Sequence, residues 1–80
     1  MIDDIFMIKE FDLIVLNHDV EDAGLKTGDV GTIVHCYSDG EGFEVEFVTA
    51  DGRTIAVLTL NASDIRGFED SEILHSREIA

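Results

Sequence analysis

The chain has 80 residues, of which 18 are acidic and 5 basic, giving a net charge of −13, and 45% are hydrophobic. A chain this short is one domain at most and buries only about 60% of its unfolded surface, which supports one small core and leaves little room for an internal active-site cavity. The hydrophobic content is too high for a disordered acidic tail, and the acidity argues against direct contact with nucleic-acid phosphates or anionic lipid.

The acidic start at Asp3 and Asp4 is unlike a secretory signal. The longest wholly apolar run, Leu13 to Leu16, is far short of the ~20 residues of a membrane span. A single cysteine, Cys36, forms no internal disulfide. Together these features lead us to expect a cytoplasmic protein.

There is no proline, and glycine supplies the punctuation. Phe11 to Leu16 reads as a first strand, followed by a long polar loop from Asn17 to Asp29 in which Gly24 and Gly28 can take positive φ. Val30 to Tyr37 reads as a second strand and Ser38 to Gly42 as a turn. Phe43 to Val48 alternates most clearly: Phe43, Val45 and Phe47 share one face while Glu44 and Glu46 share the other, the period-2 pattern of a half-buried strand. Thr49-Ala50-Asp51-Gly52 has the Asp-Gly pair favoured where two successive residues need φ > 0. A fourth strand is predicted over Arg53 to Leu60, one helical turn over Asn61 to Asp64 and a closing strand over Ile65 to Phe68.

Five short strands at hairpin spacing, with no long helical period, predict a mainly β fold, a small antiparallel SH3-like barrel. The whole chain, 1–80, is expected to be one domain with its barrel core over about 8–68 and terminal extensions at 1–7 and 69–80. Leu13 to Leu16 and Ile55 to Leu58 are apolar on both faces, so something must cover the second face. The terminal segments, with Ile2, Ile5, Phe6 and Ile8 at one end and Ile73, Leu74 and Ile79 at the other, are candidates, and so is a second copy in a homodimer.

No reaction is legible in this sequence. Gly24 to Gly31 has the composition of a phosphate loop, but a P-loop opens a helix and here a strand follows. Asp19, Glu21 and Asp22 resemble the start of a calcium loop, yet the fifth and twelfth positions hold Ala23 and Val30, which offer no side-chain oxygen. His18, His35 and His75 show no metal-ligand spacing, and Cys36 lacks a partner for a zinc pair. His35 and Cys36 point to opposite faces of a strand, so they do not form a nucleophile–base pair. General acid–base work by Glu44 or Glu46 would require an apolar pocket that raises a pKa, and both are expected to face water.

The run Asp12-x-Ile14-Val15-Leu16, then Leu25-x-x-Gly28-Asp29-x-Gly31-Thr32-x-Val34, Phe43-Glu44-Val45-Glu46-Phe47, Asp51-Gly52-x-Thr54 and Asp64-Ile65-Arg66, resembles the bacterial domain-of-unknown-function family numbered 4926. The match covers about residues 8–68. The resemblance implies an SH3-like barrel and, because some relatives are encoded beside a toxin-like partner, an antitoxin; it carries no active-site residues across. The expectation is therefore a non-enzymatic protein with no cofactor and no metal that binds a basic, nuclease-like partner. The contact residues expected are Asp19, Glu21 and Asp22 from the long loop and Asp39, Glu41, Glu44 and Glu46 from one hairpin. The alternative is a structural or accessory module that self-associates without a toxin partner.

Overall fold

Alternation in the middle strand sets the two faces of the sheet. The structure, a computed structural model, describes residues 8–38, 42–68 and 77–79. Its strands are β1 Leu13–Leu16, β2 Val30–Cys36, β3 Gly42–Val48, β4 Thr54–Asn61 and β5 Ile65–Gly67. They pair antiparallel in the order β4-β3-β2-β1-β5, so β1 to β4 form a meander and β5 returns to lie beside β1. On β3, Phe43, Val45 and Phe47 are buried and join Ile14 and Leu16 of β1, Ile33 of β2, Leu60 of β4, Ile65 of β5 and loop residue Leu25 in a single core. The fold is mainly β, as the sequence predicts.

The sheet is open. Among the described residues no ladder joins β4 to β5, so the expected barrel is not closed by hydrogen bonds. β5 has only three residues, and the edges come together through a single 3-10 turn, Ala62–Asp64, where the sequence places a helical turn. Leu60 and Ile65, on either side of that turn, both enter the core, and the sheet thereby wraps its inner face around one cluster.

Two irregularities break the strict period. The register between β2 and β3 shifts between Ile33 and His35, leaving Val34 and His35 both exposed while Cys36 returns to the core; a bulge of this kind adds one residue to one strand and bends it. At the β3–β4 hairpin the Gly52 amide donates to the Thr49 carbonyl at 2.9 Å, and only Gly52 has positive φ, at 87°. The connection is thus a turn followed by a left-handed glycine, not the two successive positive φ angles that Asp-Gly suggested. It coincides with a register shift between Phe47 and Val48.

β1 begins at Leu13, not at Phe11. Phe11 has φ 73° and sits in a turn closed by the Asp12 amide on the Lys9 carbonyl at 3.1 Å. The 17–29 loop is tied down along its length. Val20 and Leu25 bridge each other, the Asn17 amide reaches the Asp64 carbonyl at 2.9 Å, and the Gly28 amide reaches the Leu16 carbonyl at 3.0 Å. Gly24 and Gly28 both have positive φ. Gly31 has a different role: a Cβ there would stand 2.6 Å from Val45 Cγ1 and 2.7 Å from Phe47 Cε2, so β2 comes close to β3's core side chains only because that position lacks a side chain.

The second face of the apolar strands is covered in part. Val15 is buried although it points away from the core of Ile14 and Leu16, whereas Leu13 and Val57 are exposed. Of the terminal residues proposed as a cover, Ile8 packs against the core and Ile79 is exposed. Ile2, Ile5, Phe6, Ile73 and Leu74 lie outside the described residues.

Candidate partner-binding surface

Glu44 and Glu46 project from the outer face of β3, but they do not simply stand in water. Both residues are half-buried, and each accepts a hydrogen bond from a hydroxyl on β4, Glu44 also from Tyr37 just past the end of β2. Glu44 Oε1 takes the Tyr37 hydroxyl at 3.1 Å and also the Thr59 hydroxyl. Glu46 Oε2 takes the Thr54 hydroxyl at 2.8 Å. Thr59 lies directly opposite Glu44 in the ladder, which is why the contact forms. The acceptor bond to Glu44 raises the Tyr37 pKa, because the carboxylate favours the protonated phenol. Tyr37 also packs edge-on against His35, ring centroids 4.8 Å apart, and His35 Nδ1 is 3.6 Å from a Glu10 carboxylate oxygen.

The loop carboxylates divide by role. Asp19 Oδ1 accepts the Thr27 amide at 2.7 Å and the Thr27 hydroxyl at 3.0 Å, so it braces the loop, and those bonds hold its pKa below the usual carboxylate value. Glu21 and Asp22 are exposed on the 3-10 turn Glu21–Ala23. Asp39 and Glu41 lie outside the described residues. The loop seats Leu25 in the core that Phe43, Val45 and Phe47 line, whereas Glu44 and Glu46 occupy β3's other face. No hydrogen bond or ion pair among the described residues links the two acidic sets.

A site the sequence reading missed lies at the end of that loop. Asp29, immediately before β2, is only 8% exposed. Arg77 Nε donates to Asp29 Oδ1 at 2.9 Å and Arg77 Nη2 to Asp29 Oδ2 at 2.7 Å, a two-pronged ion pair across 48 residues. Arg77 Nη2 also donates to the Gly24 carbonyl at 2.8 Å, and the Lys26 amide donates to Asp29 Oδ2 at 2.9 Å. The Asp29 bonds hold the guanidinium firmly protonated. Beside this pair runs a cleft of about 590 Å³ whose walls include Leu25, Val30, Phe47, Ile55 and the hairpin turn around Asp51. The one available signal was Arg77 itself, the only Lys or Arg after Arg66 in an acidic tail.

Cys36 packs against the core, and burial, then the nearby Glu10 and Asp12 carboxylates, push its thiol pKa up, which disfavours the reactive thiolate. Among the described residues no group of three His, Cys, Asp or Glu side chains is placed to hold a metal ion. No helix there is long and apolar enough to cross a membrane.

No curated protein and no solved structure matches the chain at a significant level. The family model described as "Domain of unknown function (DUF4926)" matches residues 10–67, a span that runs from just before β1 to the end of β5 and takes in Asp29, Glu44 and Glu46, and the chain belongs to that family.

Proposed function

We propose that this protein is a non-enzymatic acidic module that binds a basic protein partner, in the concrete form of an antitoxin or inhibitor of a nuclease-like protein. The supporting observation is the outer face of β3, where Glu44 and Glu46 are oriented by the hydroxyls of Tyr37, Thr59 and Thr54. Among the described residues no lysine or arginine pairs with either carboxylate. Carboxylates fixed in this way present negative charge at low entropic cost, and a net charge of −13 steers a positively charged partner toward them. An acidic surface can fill a site built for phosphates, which gives the inhibitor reading its chemistry.

The test is stopped-flow association with the basic protein that co-purifies from the host, identified by mass spectrometry. Reversing Glu44 and Glu46 to Lys is expected to slow association at least about ten-fold at low salt and to flatten its salt dependence, since charges at an interface rim act mainly on the on-rate. Equal rates would refute the reading.

A second reading, self-association into a homodimer, draws on β4. It is an eight-residue edge strand, and Val57 on its exposed side is 51% accessible. Two copies at −13 repel, so such a dimer strengthens with salt. Sedimentation equilibrium showing only monomer at both low and high salt removes it.

A further inference from the structure

We propose that the cleft beside Asp29 is an arginine-binding pocket, in which Arg77 is the occupant supplied by the chain itself and an arginine side chain of another polypeptide takes the same seat by displacing it. This inference does not depend on the outer-face carboxylates. It stands on the built geometry around Asp29.

The pocket has the parts that distinguish a guanidinium from an ammonium. Both carboxylate oxygens of Asp29 are engaged, Oδ1 by Nε and Oδ2 by Nη2, and the Gly24 carbonyl takes a second proton of Nη2. A planar fork satisfies all three acceptors at once, whereas a lysine ammonium meets them only as a point charge. The frame is rigid because Oδ2 is also held by the Lys26 amide, and Gly24 sits at the end of the Glu21–Ala23 turn with its own amide on the Glu21 carbonyl at 3.0 Å. The apolar wall of Leu25, Val30, Phe47 and Ile55 suits the methylene stem of an arginine.

Two features make the occupant exchangeable. Of the tail residues described, Glu78 and Ile79 are exposed, and the bonds these three residues make to the loop come from the Arg77 side chain. The cleft of about 590 Å³ is lined by residues of the Val48–Arg53 hairpin as well as by Arg77, and its volume lies in the ordinary range for ligand sites of roughly 300–1,000 Å³. Because vacating the seat would strip the buried Asp29 carboxylate of its two-pronged guanidinium contact, the favourable process is replacement of one arginine by another. Arg77 therefore acts as an internal competitor that sets how strong an incoming arginine must be.

The test uses the full chain with Arg77→Ala and two short probes, acetyl-Arg-Glu-Ile-amide and acetyl-Lys-Glu-Ile-amide, followed by amide chemical shifts of Gly24, Lys26 and Asp29. The arginine probe is expected to shift these signals saturably in the variant, to bind the wild-type chain at least about ten-fold more weakly because Arg77 competes, and to outbind the lysine probe by about ten-fold. Asp29→Asn, combined with Arg77→Ala, should abolish the response, while Glu44→Lys with Glu46→Lys should leave it in place. Should Arg77→Ala fail to fold, Arg77→Lys keeps a cation over Asp29 without the fork, and the same titration applies to it. Absence of saturable shifts, equal binding of the two probes, or an undiminished response with Asp29→Asn would each overturn the proposal.

Discussion

The two faces of β3 are one residue apart in sequence and follow different physical rules. Inward, Phe43, Val45 and Phe47 are buried in the shared core, where each side chain contributes by leaving water and by filling space. Outward, Glu44 and Glu46 are half-buried and bonded to hydroxyls, interactions that exchange water for protein at small net gain. The inward residues are committed to holding the fold together. The outward ones cost little to change, and that is the condition under which a surface is free to serve a partner.

The largest expected effect breaks the inner face. Phe47→Ala removes a ring that is 2% exposed and leaves a cavity, which should destabilise by ~3–5 kcal/mol. Glu46→Ala, one residue earlier, loses one hydroxyl bond and should cost no more than ~1.5 kcal/mol. Urea titrations of the two variants check this, and equal losses would mean that the faces are assigned wrongly.

Gly31→Ala sharpens the same comparison from the neighbouring strand. The added methyl would press on Val45 and Phe47, side chains that are fixed in the core, so overpacking of ~1–3 kcal/mol is expected. Combined with Phe47→Ala, the penalty should shrink, because the vacated ring volume receives the methyl. Strictly additive losses in a double-mutant cycle would show that the close approach of β2 to β3 at Gly31 does not exist.

Period and turn chemistry made most of the fold legible. The alternation of Phe43 to Val48 identified β3 and its faces, and glycines bounded the loops. The strand ends shifted by one or two residues where local geometry intervened, as at Phe11, whose positive φ and 76% exposure no alternation pattern foretells. The bulge between Ile33 and His35 was likewise invisible, because it depends on how two strands register. The candidate surface was legible only as composition: Glu44 and Glu46 stood out, but their hydroxyl partners on β4 follow from the hairpin register. Asp29 was hidden more deeply. Nothing in a loop-end aspartate announces burial, and its partner Arg77 lies 48 residues away, so the pair exists only once the chain has folded.

The smallest expected effect separates a loop brace from both faces of β3. His18 Nδ1 lies 2.9 Å from the Asp19 carbonyl, and Nε2 lies 2.7 Å from Asp64 Oδ1. Both neighbours are acceptors, so only the doubly protonated ring donates to both. The Asp19 carbonyl, then the Asp64 carboxylate, raise the His18 pKa above its ordinary 6.5. Asp64 is lowered from 3.8, first by the Asn61 amide and then by His18. A raised histidine pKa gives stability that is full below 6.5 and lost as pH climbs through the folded value. A lowered carboxylate pKa gives stability present above 3.8 and lost as pH falls through the folded value. The pair therefore contributes most between those limits. His18→Gln should lower the melting temperature by a small margin at pH 5.5 and by less at pH 8.5. Repulsion among the 18 acidic side chains also changes with pH, but it is common to both proteins and cancels in the difference. A margin that is constant, or that grows toward pH 8.5, would show that His18 holds the loop to the Ala62–Asp64 turn without its charge.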